Sequence, residues 1–323
     1  MINFELEKIV DEIDLLTKEK DFPRKMELFL IVVNKNKNEI YKQECSDDTK
    51  ITLINSLLPG LNSSRFKNRE VVNYDESISK KNTHELVRVD NYPNIIDILE
   101  EFNDENNYLS STKNLNEVDF SFYMISLKDN NRTFKLFGSF TNILKLQKKF
   151  IFGNFKNSRL DLSDSDNLFG FNKKVDLLIV DDTFILINQA ETKFDNLFKM
   201  NIQFINEAMK ILEKNNTLKK VFSEQTIGSL KKKMKESKRM STRLIKITSD
   251  EDRFNKTIDN ISKIVTIIND KSHPFYINVQ DIEYSDGKLS APSGKEVQLL
   301  NAISDAFYSA VFSGTTNVDE SRM

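Results

Sequence analysis

The stretch Val175–Ile187 reads VDLLIVDDTFILI. Two unbroken apolar runs, Val175–Val180 and Phe184–Ile187, flank Asp181-Asp182-Thr183, residues suited to a turn. Continuous runs of this length predict two antiparallel strands buried on both faces, hence central in a sheet. Before them lies a second predicted hairpin. Phe120, Phe122 and Met124 alternate with opposite-face residues, Lys128-Asp129-Asn130-Asn131 makes a turn, and Phe134, Leu136 and Phe140 return. After them, Leu197, Phe198, Ile202, Ile205, Met209 and Leu212 recur at helical spacing and predict a helix from Asp195 to Lys214.

The same reading extends to both ends. A helix is expected over Asn3–Lys18, a buried strand over Met26–Val33, and a turn at Asn34–Asn38 with a second strand through Tyr41. Asp47 or Asp48 is the expected cap of a helix over Ile51–Leu58 that Pro59-Gly60 ends. Asn62–Asn82 is polar and reads as a long surface loop, Val87–Val89 as a strand, and Pro93 as the start of a helix through Phe102. Towards the C-terminus, a helix is expected over Phe254–Ile268. A hairpin follows around Ser285-Asp286-Gly287-Lys288, with strands Tyr276–Tyr284 and Leu289 onward, and then a last helix over Glu296–Phe312. Mixed order and antiparallel hairpins predict an α+β fold, with a mixed or antiparallel sheet packed by helices. The expected lobes are 1–115 and 117–313, with a disordered tail at 314–323.

Composition narrows the chemistry. The 323 residues include 24 Phe and are 39% apolar, enough for a sizeable core. The net charge is −2, so any attraction to a polyanion must be local. One cysteine, Cys45, can form no internal disulfide. With His84 and His273 as the sole histidines, zinc sites built on His and Cys are nearly excluded, and each histidine reads as a surface or strand residue. Eight glycines include no GxxxxGKS or GxGxxG loop for a nucleotide. No secretory signal and no long apolar span are visible, so a soluble, cytoplasmic protein is expected.

Charge concentrates in one place. From Leu218 to Lys246 there are ten basic residues and two acids, a local balance of +8 against −10 elsewhere. Ile227, Leu230 and Met234 share a helical face, which leaves Lys231, Lys232, Lys233, Lys235, Lys238, Arg239 and Arg243 to present charge to phosphates. The competing readings are a solvated face and attraction to an anionic membrane or an acidic partner. No aromatic residue interleaves Lys231–Lys246, so the expected contact is with the nucleic-acid backbone, with little sequence preference.

A second arrangement points to different chemistry. Asp176 opens the first strand of the apolar hairpin, and Glu191-Thr192-Lys193 follows the second. Metal-dependent nucleases of the PD-(D/E)xK type place Asp and Glu-x-Lys on adjoining strands. There two carboxylates hold Mg²⁺ and the lysine steadies water or phosphate. The alternative reading is therefore a Mg²⁺-dependent nuclease using Asp176, Glu191 and Lys193. Against it stands the plainer reading that Glu191–Lys193 lies in the turn leading to the next helix. On the first reading no catalytic residue, metal or cofactor is expected.

The order FSFYMISLKDNNRTFKLFGSF, VDLLIVDDTFILIN, KFDNLFKMNIQFINEAMKIL and a charged stretch ending RMSTRLIKI, with the Phe194–Phe198 run FDNLF, resembles the Kiwa protein KwaB-like family over about residues 117–300. This is the soluble component of a bacterial anti-phage defence system. The resemblance implies a cytoplasmic, self-associating DNA-binding protein, a homodimer or higher homo-oligomer. It would work with a small multi-pass membrane protein of the KwaA-like kind that recruits it to the membrane's inner face. It supplies no residue-level site motif, so the lysines above rest on the residues alone.

Overall fold

The computed structural model describes residues 5–323 apart from 36, 76–80, 110–117, 130–131, 142–149, 157–158, 162–168, 305–306, 310–315 and 319–323. The chain divides into two compact units, residues 1–74 with 80–199 and residues 75–79 with 200–323.

The first unit holds helices α1 (Leu6–Thr17), α2 (Asp47–Leu61), α3 (Ser64–Lys67), α4 (Pro93–Asn103) and α5 (Glu191–Leu197). Its strands are β1 (Met26–Val32), β2 (Glu39–Gln43), β3 (Val71–Asn73), β4 (His84–Arg88), β5 (Phe122–Lys128) and β6 (Thr133–Thr141). They continue with β7 (Phe150–Lys156), β8 (Arg159–Asp161), β9 (Phe169–Asn172), β10 (Leu177–Val180) and β11 (Phe184–Ile187). These form one sheet whose main path runs β2-β1-β5-β6-β10-β11-β4-β3, with β7, β8 and β9 attached through β6. Every pairing on the path is antiparallel except β3 with β4. The fold is thus α+β with a mixed sheet.

The expected hairpin at Val175–Ile187 is β10–β11, in the register Leu177↔Ile187 and Val180↔Phe184. Asp181-Asp182-Thr183 turns it, with φ of 52° and 50° at the two aspartates, a left-handed region that Asp tolerates in turns, and Thr183 N–H donates to Val180 O at 3.0 Å. Both faces are covered, as the uninterrupted apolar run requires. Leu178 and Leu186 join Ile9, Ile13, Leu53 and Leu57 of α1 and α2 in one core cluster. On the opposite face Phe102 of α4 meets Phe137 with ring centroids 5.7 Å apart. Lys135 lies buried there, and donates to Asn103 Oδ1 at 2.9 Å and Asp182 Oδ1 at 2.5 Å. Burial lowers its ammonium below the usual lysine range, against the pull of Asp182.

Several expectations are corrected. The division expected between 115 and 117 falls inside the first unit, because β1 hydrogen-bonds to β5 across it, Leu28 opposite Ile125. Ser46, whose side chain accepts from Thr49 N at 3.2 Å, caps α2 in place of Asp47 or Asp48, and the helix continues through Pro59. The stretch read as a loop contains α3 and β3, whose Val71–Asn73 pairs in parallel with His84–Leu86. The helix expected from Asp195 to Lys214 is two, broken at Lys199 with φ 55°.

The second unit contains α6 (Met200–Lys214), α7 (Asn216–Val221), α8 (Glu224–Glu236), α9 (Lys238–Ser249), α10 (Glu251–Asp259), α11 (Ile261–Asn269), α12 (Tyr276–Val279) and α13 (Glu296–Ile303). Two short hairpins accompany them, β12 (Glu283–Ser285) with β13 (Lys288–Ser290) and β14 (Phe307–Ser309) with β15 (Thr316–Val318). The Asp286-Gly287 turn is as expected, with φ of 51° and 75°, but Tyr276–Val279 is helical. The helix expected over Phe254–Ile268 divides at Asn260. The last helix ends at Ile303, and Thr316–Val318 of the expected disordered tail pairs as a strand; 314–315 and 319–323 lie outside the described residues. Helix α9 packs against α6, α8, α10 and α13 and centres the unit. Among the described residues no helix is long and apolar enough to cross a membrane.

Candidate functional site

The basic segment runs through three helices, the end of α7, all of α8 and most of α9, and the seven expected contact residues are divided between α8 and α9. Ser223 caps α8 by accepting from Thr226 N at 3.2 Å, and Thr226, Leu230 and Met234 form its buried stripe. Ile227 is half-buried beside that stripe. Four-residue spacing then fixes where the lysines go. Lys232 and Lys235 stand exposed on the outer face, three residues apart. Lys231 and Lys233 flank the stripe, half-buried, and pair with Glu213 at 3.2 Å and Glu236 at 3.6 Å. Ser237, extended at φ −144° and ψ 111°, ends α8 and resets the helical phase.

That reset decides the rest of the patch. Arg239 is exposed at the start of α9. Lys238 is half-buried, its ammonium 5.7 Å from the centroid of the Phe204 ring. Arg243 is buried at 6% exposure, because neighbouring helices cover the side of α9 that carries it. It is therefore not part of a surface that phosphates can reach. Lys246 pairs with Asp75 at 3.1 Å. Of the seven expected contact residues, Lys232, Lys235 and Arg239 are the exposed ones.

Asp176 and Lys193, read together from sequence, do meet. Lys193 Nζ donates to Asp176 Oδ2 at 2.6 Å and to Ser139 Oγ at 2.8 Å. Asp176 is 1% exposed and sits one residue before β10, its backbone N–H donating to Phe137 O and its carbonyl accepting from Asn188 N–H. Glu191, by contrast, is the first residue of α5, past the end of β11 and past Gln189, whose φ is 54°. It is not on the adjoining strand. The charges acting on neighbouring Lys174 are Asp176, Lys193, Arg69 and Arg65, three cations and one carboxylate. Mg²⁺ needs several oxygen ligands in octahedral array. Here a divalent cation would have to displace Lys193 from the carboxylate and sit among positive groups, so this donor set suits an anion rather than Mg²⁺. Among the described residues no three His, Cys, Asp or Glu side chains gather in a group able to hold a metal ion.

Sequence reading did not single out Arg65, Arg69 and Lys174. They line a pocket of about 300 Å³ in the first unit with Ser63, Asn188 and Gln189. Burial lowers the Lys174 ammonium below the usual lysine range, Asp176 opposes, and Lys193, Arg69 and Arg65 add to the lowering. Burial, then Arg65, lowers Arg69. RFKNR at Arg65–Arg69 was the available signal, but it lies more than a hundred residues before Lys174. His84, in β4 and fully buried, places Nε2 2.9 Å from Phe66 O; a carbonyl can only accept, so Nε2 carries the proton.

Fold and sites together define an α+β protein with a mixed sheet, a cationic pocket in its first unit and a cationic helix face in its second. No family model, curated protein or solved structure matches the chain.

Proposed function

We propose that the chain is a DNA-binding protein that contacts phosphates through the outer face of α8 and the start of α9. One observation carries the reading: Lys232, Lys235 and Arg239 are all exposed within one short segment, while the buried Leu230 and Met234 anchor its helix from below. Ammonium and guanidinium groups so placed displace counterions from a polyanion without reading bases. The resemblance to the Kiwa protein KwaB-like family supports the same reading. In that setting the protein acts against phage DNA as a self-associating component, recruited from the cytoplasm to the membrane by a small multi-pass partner.

The test is fluorescence anisotropy with two duplexes of unrelated sequence, comparing the native chain with K232Q/K235Q/R239Q. The native chain binds both duplexes with similar affinity, and the variant binds both more weakly by a similar factor. Unchanged affinity in the variant removes the assignment. Supercoiled plasmid incubated with the protein and Mg²⁺ separates binding from cleavage: it stays intact on this reading. Nicking that Glu191→Ala abolishes would establish the nuclease instead.

A further inference from the structure

We propose that the pocket bounded by Ser63, Arg65, Arg69, Lys174, Asn188 and Gln189 binds a phosphate monoester. The site lies in the first unit and does not rest on the DNA-binding reading of α8 and α9.

Charge balance is the first argument. Three cationic side chains line one concavity of about 300 Å³, and the charge of Lys193 acts on Lys174 as well. The carboxylate at hand, Asp176, gives Oδ2 to Lys193 at 2.6 Å. Lys174 Nζ lies 4.0 Å from Asp176 Oδ1, beyond hydrogen-bond reach. Among the described residues neither Arg65 nor Arg69 forms an ion pair. Like charges gathered in a partly desolvated recess repel one another, and a bound dianion relieves that repulsion. A purely structural cluster would carry its carboxylates within it, as Lys25, Glu19 and Asp129 do elsewhere in this unit.

Preorganisation is the second. Arg69 donates from one terminal nitrogen to Asn188 Oδ1 at 2.9 Å. Asn188 is itself 6% exposed and fixed by donating from Nδ2 to Val175 O at 2.7 Å. The guanidinium is thus held from the β11 side, with no other hydrogen bond from it among the described residues, so little side-chain freedom is lost on binding. A planar fork matches two phosphate oxygens, and Lys174 supplies a point charge to a third. Next to these groups Gln189 holds φ 54°, a left-handed conformation that non-glycine residues adopt where the surroundings enforce it. The volume exceeds what a bare phosphate fills and lies at the lower end of small-molecule pockets, so the phosphate carries an organic body of modest size.

Isothermal titration of the full chain in chloride buffer tests this, with inorganic phosphate, adenosine monophosphate and adenosine as probes. Inorganic phosphate and the monophosphate bind, and adenosine does not. R65Q/R69Q weakens the monophosphate by about tenfold or more, the loss of one charge-assisted hydrogen bond or more, whereas K232Q/K235Q leaves it unchanged. R65Q/K174Q, which alters two exposed side chains, shows the same loss and guards against misfolding. An oligonucleotide with a 5′-phosphate, set against the same strand with a 5′-hydroxyl, distinguishes a strand end from a free metabolite as the source. The proposal is overturned if neither phosphate nor the monophosphate binds the native chain at millimolar concentration. It is equally overturned if R65Q/R69Q and R65Q/K174Q, folded by circular dichroism, bind as the native chain does.

Discussion

Lys193 Nζ lies 2.6 Å from Asp176 Oδ2, so α5, the helix after β11, holds the carboxylate buried at the start of β10. The pair ties the central hairpin to the element that follows it. Removing the cation leaves a carboxylate at 1% exposure without its partner. Lys193→Met should therefore cost roughly 3 kcal/mol, the lower end for a broken buried pair, because the lysine itself is partly exposed. Urea denaturation measures it, and a cost under about 1 kcal/mol would show the pair to be incidental.

Tyr123 and Gly138 stand opposite each other on β5 and β6, with the tyrosine ring laid over the glycine. A Cβ at Gly138 would lie 2.2 Å from the ring's Cζ and Oη. The ring cannot swing aside, since Tyr123 is 1% exposed and its hydroxyl donates to Asn172 O. Gly138→Ala is expected to destabilise by about 1–3 kcal/mol through overpacking. A thermal midpoint equal to that of the native chain would contradict this.

Gly228 is the opposite case. It occupies the exposed face of α8, and a Cβ there meets nothing within 4 Å. Gly228→Ala should stabilise by about 0.5–1 kcal/mol, from backbone entropy and helix propensity alone. Chemical denaturation of the two proteins side by side decides it, and a destabilised variant would mean that the face is covered.

Two tyrosines set an alkaline limit on the first unit. Tyr41 donates to Glu39 Oε2 at 2.7 Å, and burial, then Glu39, raises its phenol to about 12. Burial, then Glu27, raises Tyr108 to about 12 as well. Both sit above the unfolded value of 10.0, so between these limits the folded state retains protons that the unfolded chain loses. Their contribution is intact below pH 10 and is lost as pH rises through about 12. Absorbance titration of phenolate should show both ionising late, and Tyr41→Phe should flatten the fall of stability over that window. An unaltered slope would remove Tyr41 as a cause.

How much of this was legible in the sequence depended on range. VDLLIVDDTFILI announced β10–β11 because apolar continuity and turn residues are local. The β1–β5 pairing joins segments some ninety residues apart, and no spacing rule encodes such a register. β3 escaped notice because three half-buried or exposed residues leave no apolar run. The breaks at Lys199 and Ser237 carry neither Gly nor Pro, so each divided helix looked continuous. The second break also explains the misplacement of Arg243, which a single helix would have kept on the lysine face. Asp176 and Lys193 were found because a motif names their spacing. Arg65, Arg69 and Lys174 converge only through the sheet, and their separation hid them.

The central claim is that exposed cations on α8 and α9 bind DNA by displacing its counterions. Its most direct test is the slope of log Kobs against log salt concentration for the native chain and for K232Q/K235Q/R239Q. Each lost phosphate contact should flatten the slope by about 0.9, so the variant should be shallower by roughly two to three. Identical slopes, or native binding indifferent to salt, would contradict the account.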